Sequence, residues 1–212
     1  MKKILKSLRN IFRRQINAFK NIDRPEPIFT KVNIPGLKVH IGTGEINLQG
    51  WVNVDARNFD HVHIVSNNMQ LEQFSDNSID ELYLCHVLEH ISFNEVNAFL
   101  KLVYLKLKIG GIIRISVPSF ESILKIYINT DKNFDVIKFA LMGGQDYEYN
   151  FHKSMFDFQF LYKLLINSNY NNISEWDTKS DFGQSLGDWS DVNFKTNNGS
   201  VPISLNIKAY KR

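Results

Sequence analysis

From Leu37 onward, short apolar runs alternate with helix-spaced apolar patterns, and this alternation constrains the fold of the 212-residue chain more than any other feature. The runs Leu37–Ile41, Trp51–Asp55, His61–Val65, Ile79–Cys85 and Ile112–Val117 read as strands, being rich in β-branched and aromatic residues. Strands joined through helices pair in parallel, which predicts an α/β sheet. Between the last two, Ser92-Phe93-Asn94-Glu95 has the form of a capping box. Val96, Phe99, Leu100, Val103 and Leu107 follow on one helix face, and Gly110-Gly111 is expected to end that helix. Ser119–Thr130, Asp131–Met142 and Ser154–Ser168 are further predicted helices. Near the C-terminus, Asn172–Trp176 and Ile203–Tyr210 are expected to pair antiparallel as an edge hairpin across a polar Gly/Asn/Ser-rich stretch.

The charge is unevenly placed. Residues 1–20 hold seven basic groups and no acid; of 25 Lys and Arg, 18 remain elsewhere against 22 acidic residues. The body is therefore mildly acidic, which argues against a nucleic-acid partner. Ile4, Leu8, Ile11, Phe12, Ile16 and Phe19 fall at helical spacing within the basic segment, so residues 1–22 suit an anionic membrane surface or a partner protein. Asp23–Pro27 reads as a linker, dividing the chain into a basic amphipathic helix with linker, 1–27, and a main domain, 28–212. Charges interrupt any signal-peptide core, and no apolar run approaches the roughly 20 residues of a membrane span. The single cysteine, Cys85, excludes an intrachain disulfide and fits a reducing, cytoplasmic setting.

Residues 38–57, "KVHIGTGEINLQGWVNVDAR", place Gly42-Thr43-Gly44 after the first strand and Asp55 at the end of the second. Glycine lets backbone approach a ligand closely, and a carboxylate at the next strand end can accept both hydroxyls of a ribose. The pairing points to a nucleoside. Asp55-Ala56-Arg57, Asn67-Asn68-Met69, Cys85-His86 and Pro118-Ser119 follow the other strands. In an open α/β sheet such carboxyl ends share one rim, where ligands bind. Only nine residues, 42–50, join the first two strands, fewer than the dozen or so of an ordinary crossover, so the first connecting helix is expected to shrink to a turn.

"KVHIGTGEINLQGWVNVD", "FSDNSIDELYLCHVLEHI" and "LKIGGIIRISVP" resemble, in this order and spacing, the successive motifs of class I S-adenosylmethionine-dependent methyltransferases. The resemblance continues through "MGGQDYEYNFHKSMFD" to "SLNIKAYK", covering roughly residues 36–212, and is nearest to a small bacterial subgroup of capsule and lipopolysaccharide biosynthesis. It implies a Rossmann-like, seven-stranded, mostly parallel sheet with a terminal antiparallel strand and helices on both faces. It also implies methyl transfer from S-adenosyl-L-methionine to a sugar, sugar nucleotide or lipid-linked glycan, and the basic N-terminal helix is expected to hold the chain near the inner face of the membrane. By the same resemblance Gly42, Thr43 and Gly44 lie against the methionine moiety and ribose, and Asp55 holds the ribose hydroxyls. Ala56 sits beside the adenine, Asn67, Asn68 and Met69 flank it, and Cys85 and His86 lie near the sulfonium. The chain departs from the pattern in His40 before the glycine loop, in Ile46 where a third glycine is expected, and in amides where the adenine edge usually has Asp.

Methyl transfer from a sulfonium needs alignment, and a base only when the acceptor is a hydroxyl. His86 and His152 are the candidate bases, with Asp146, Tyr147 and Glu148 as groups for an acceptor. "HVLEH", His86–His90, also matches the H-x-x-E-H pattern of zinc peptidases, but that pattern belongs inside a helix and here straddles a strand end. No metal ligand is assigned on this basis. The non-enzymatic alternative is an inactive subunit of this fold in a polysaccharide assembly.

Overall fold

The structure is a computed structural model describing residues 36–66 and 70–212. The predicted basic helix and linker, 1–27, and Asn67-Asn68-Met69 lie outside the described residues. Nine strands are present among those described: β1 (Lys38–Ile41), β2 (Val52–Asp55), β3 (Ile64–Val65), β4 (Ile79–Cys85), β5 (Leu107–Pro118), β6 (Tyr170–Glu175), β7 (Asn193–Thr196), β8 (Gly199–Pro202) and β9 (Ser204–Lys211). Seven form one sheet in the order β3-β2-β1-β4-β5-β9-β6, parallel from β3 through β5. β9 runs antiparallel to both neighbours, pairing Ile115 with Ile207 and Asn171 with Tyr210. The predicted C-terminal pair therefore forms, but its second strand enters between β5 and β6 and leaves β6 at the edge.

Alternation along the strands sets the two faces of this sheet. Val39, Ile41, Val54, Leu82, Leu84, Ile113, Ile115, Ile207 and Ala209 belong to the main core with Phe99, Leu100 and Val103 of α1 (Val96–Lys106). The intervening residues are more polar, and His40, Asn53, Glu81, Arg114 and Ser116 are all buried. There Trp51, Tyr83, Cys85 and Trp176 cluster with Phe182. The helices α2 (Phe120–Ile128) and α3 (Phe134–Met142) pack through Ile123, Ile126 and Ile137 against Val201 of β8. Leu161 and Leu165 of α4 (Phe158–Asn167) complete the main core, whereas α5 (Thr178–Phe182) supplies Phe182 on the second face.

Several boundaries differ from expectation for local reasons. The first connection is indeed cut to turns, with the amide of Ile46 donating to the Thr43 carbonyl at 2.9 Å. β3 keeps only Ile64 and Val65, because His63 turns its Nδ1 to accept the Asn53 amide at 3.0 Å. α1 starts at Val96, and the amide of Glu95 donates to the backbone carbonyl of Ser92 at 2.7 Å rather than to its hydroxyl, so the expected capping box does not form. Gly110-Gly111 does not end α1 either. The helix stops at Lys106, and the glycines lie in β5 beside a register shift in its pairing with β4. A Cβ on Gly111 would stand 2.8 Å from the Lys108 carbonyl oxygen, which explains the residue. α4 begins at Phe158 with Asp157 as its cap, accepting the Phe160 amide at 2.7 Å. No described helix is long and apolar enough to cross a membrane.

Candidate functional site

The carboxyl ends of β1, β2 and β4 open on a cavity of about 680 Å³. Ile41, Gly42, Val54, Asp55 and Ala56 form one wall, and Ala98, Phe99 and Leu102 of α1 form another. Gly42 has φ +69°, and its amide donates to the Val54 carbonyl at 2.8 Å. A Cβ at that position would lie 2.2 Å from Cγ2 of Val87, so the turn requires glycine on both steric and conformational grounds. Asp55 is buried, and its two oxygens accept the amides of Gly44 and Arg57, each at 2.7 Å. The glycine loop and the second strand end are thus tied through one carboxylate. Carboxylate oxygens have further lone pairs for a diol.

Arg57 lines the mouth of the cavity. Its guanidinium lies 4.7 Å from the ring centre of Phe59 and 5.0 Å from that of Tyr147, and its Nε is 3.6 Å from Asp55. Burial raises the Tyr147 hydroxyl above its ordinary range, with the Arg57 charge opposing. Nothing in the spacing of Arg57 and Tyr147 foretold that contact, because they are far apart in sequence.

Opposite this mouth, β4 runs out at Cys85 into His86, which has φ +52°, and then into a single helical turn, Leu88–His90. The backbone carbonyl of Glu89 accepts the amides of Lys153 at 2.7 Å and Ser154 at 3.0 Å. These bonds bring His152 to the same turn. The loop before them is tight: Gly143 has φ +77°, and a Cβ there would stand 2.4 Å from the Asn150 carbonyl oxygen. The His86 ring bonds through Nε2 to Ser204 Oγ at 2.8 Å and places Nδ1 3.4 Å from Glu89 Oε1. Burial, reinforced by neighbouring His152, pulls its conjugate acid down to about 3. Burial likewise lowers His90 to about 4, lowers His152, and pushes the Glu89 carboxyl up to about 8.

Of the residues singled out from sequence, Gly42, Asp55, Ala56 and His86 line the cavity, as do Tyr147 and Glu148. Asn67, Asn68 and Met69 lie outside the described residues. Thr43 is buried beside His61, its Oγ1 3.5 Å from Nε2. Gly44 acts through its bond to Asp55 rather than as lining. Cys85 belongs to the cluster on the sheet's second face with Trp51, Tyr83 and Trp176, where burial raises its thiol far above the ordinary range. His152 lines a second, shallower cavity with Phe93 and Leu141, and Asp146 is engaged with Asn150. Glu89 showed in the sequence only as the acid of "HVLEH", and Lys153 and the partnership of His86 with Ser204 were not legible, since residues 118 positions apart carry no shared local signal.

No protein-family model and none of the curated proteins matches the chain. Among solved structures it is similar to an S-adenosylmethionine-dependent methyltransferase from Thermotoga maritima, at 15% identity over 90% of this chain and 84% of that one, with TM-score 0.52. An S-adenosylmethionine-dependent methyltransferase from Archaeoglobus fulgidus aligns over 97% of this chain and 94% of its own, at 16% identity and TM-score 0.49. At such identities the likeness speaks to architecture, and the chain has the fold of class I S-adenosylmethionine-dependent methyltransferases.

Proposed function

We propose that this protein transfers a methyl group from S-adenosyl-L-methionine to a sugar, sugar nucleotide or lipid-linked glycan, as in the bacterial subgroup of capsule and lipopolysaccharide biosynthesis that its motifs resemble. The observation that carries the donor assignment is the Gly42-Thr43-Gly44 turn, tied through the Gly44 amide to the Asp55 carboxylate at the rim of the cavity. The donor, when bound, supplies an already activated methyl group, leaving the protein to bind and align. Asp55 would accept the ribose hydroxyls, the Gly42 backbone would lie along the methionine moiety, and Ala56 would face the base. Glu148 and Tyr147 offer an acceptor and a hydroxyl to a polyol at the same cavity.

His86 stays neutral at working pH in this reading. With a conjugate acid near 3 it has little driving force to take a hydroxyl proton, so it serves as cavity wall, fixed by its bond to Ser204. Residues 1–22 would rest on an anionic membrane face where lipid-linked glycans are built. Cosedimentation with anionic vesicles tests this: the full chain should pellet and a chain lacking 1–27 should not. Equal behaviour of the two removes the membrane assignment.

Calorimetry with S-adenosylhomocysteine tests the donor site. The wild-type chain should bind with one-to-one stoichiometry, and Asp55→Asn, which keeps the shape and removes the charge, should weaken binding by at least about tenfold. Absence of binding by a folded wild-type chain overturns the proposal. Unchanged affinity in Asp55→Asn removes the ribose assignment.

A further inference from the structure

The turn after β4 carries an arrangement that methyl-donor binding does not use. We propose that Glu89, His90 and His152 form a binding site for a divalent transition-metal ion beside the donor cavity. Their three ligand atoms all lie within 4.8 Å of one another. Glu89 Oε1 is 3.9 Å from His90 Nε2 and 3.9 Å from His152 Nε2. Ligands at about 2.1 Å in tetrahedral geometry stand about 3.4 Å apart, so each glutamate–histidine pair must close by about 0.5 Å and the histidine pair by up to about 1.4 Å.

The protons of this cluster are fixed by its surroundings. His90 Nδ1 lies 3.2 Å from the Phe151 carbonyl oxygen and His152 Nδ1 lies 3.0 Å from that of Ala140. A carbonyl only accepts, so each Nδ1 carries the hydrogen and each Nε2 turns a bare lone pair toward Glu89. Backbone carbonyls orient metal-binding histidines in this manner. His86 adds a third lone pair. The Ser204 hydroxyl donates to the Trp189 carbonyl at 2.8 Å and therefore accepts from His86 Nε2–H, leaving Nδ1 unprotonated 3.4 Å from the same carboxyl oxygen. Glu89 itself is wholly buried, and neither of its oxygens has a hydrogen-bond partner. A buried carboxyl faced by three lone pairs is costly, and a cation held by Glu89, His90 and His152 satisfies the carboxylate and two of them.

Two imidazole nitrogens and one carboxylate oxygen suit zinc, cobalt, manganese or ferrous ions better than magnesium or calcium. Three protein ligands leave a coordination position for an exchangeable oxygen. His90 lines the donor cavity and His152 the neighbouring one, so an acceptor's hydroxyl or phosphate oxygen can reach the ion from either. Given the methyl-transfer reading, the ion would anchor the acceptor and acidify its hydroxyl, a task His86 is poorly suited to. The triad differs from the peptidase-like spacing of "HVLEH": His86 stays outside it, and the third ligand comes from a loop 62 residues beyond His90.

The test uses the full chain stripped with a chelator and titrated with Co²⁺, followed by visible absorption, and with Zn²⁺ by calorimetry. One ion per chain should bind, and the cobalt spectrum should show tetrahedral or five-coordinate bands. Glu89→Gln and His152→Ala should each weaken binding by about tenfold or more, with circular dichroism and S-adenosylhomocysteine binding reporting on the fold. A wild-type chain that binds no stoichiometric ion overturns the site and leaves a protonated Glu89 as the occupant. Binding that neither variant alters also overturns it, because the ion then sits elsewhere. S-adenosylhomocysteine binding by the stripped chain separates these outcomes from failure of the methyl-donor assignment.

Discussion

Gly42 and His40 show how single residues shape this rim. Gly42→Ala puts a methyl 2.2 Å from Val87 Cγ2 and holds an L-residue at φ +69°. The angle alone costs about 1–2 kcal/mol. S-adenosylhomocysteine affinity should fall at least about tenfold, and adding Val87→Ala should recover only part, since it frees space but not the backbone angle. His40 is buried against Tyr83, their ring centres 5.0 Å apart, and burial lowers its conjugate acid to about 4. Asp188 raises it in part and His61 lowers it further. The folded chain thus refuses a proton that the unfolded chain accepts near pH 6.5. Stability from this residue is intact above that pH and declines below it, by about 2 kcal/mol at pH 5. Urea unfolding should show a smaller loss between pH 7 and pH 5 in His40→Leu than in the wild type; equal losses would contradict the assignment. The glycine and carboxylate of the cavity rim were legible because each follows its own strand directly. The environment of His40 was not, since it depends on what covers the sheet's second face.

At the scale of elements, helices and strands came through where apolar spacing was strong, and their ends shifted where a nearby chain competed for the same atoms. β4 matches its predicted bounds, Ile79–Cys85, because a strand between β1 and β5 with all but Asp80 of its residues buried has little choice. α1 and β5 meet without a loop, because Leu107 pairs with Ile79 and draws the glycines into the sheet. Asp157 is the clear cap of α4, and Asp157→Ala should lower stability by about 1 kcal/mol in urea unfolding. A change below the resolution of that measurement would mean that packing of Leu161 and Leu165 alone fixes the helix start.

The molecule as a whole is fastened by charges that cross its second face. Arg114 on β5 holds Glu81 of β4 at 2.7 Å and also bonds Asp181 of α5. Asp181 takes Lys208 of β9, and Glu81 takes Lys38 of β1 at 3.0 Å. These side chains are largely buried, apart from Lys38, so removing the centre leaves two carboxylates short of a partner. Arg114→Ala should therefore lose about 3–5 kcal/mol, read by urea or thermal unfolding. A loss under about 1 kcal/mol would mean that Lys38 and Lys208 suffice. The network unites residues 38 to 208, and no window of sequence contains it.

By itself, the sequence determined the parallel sheet, the shortened first connection and the placing of the glycine turn and Asp55 at one rim, because these follow from local periodicity and from where each strand ends. Tertiary structure decided which side chains share a cavity, and it decided the protons. Ala140, Phe151 and Ser204 orient three histidines on Glu89 from distant parts of the chain. Hydrogen-bond partners and burial are properties of the packed molecule, so the same residue types in sequence could serve as core, base or metal ligand until the fold chose among them.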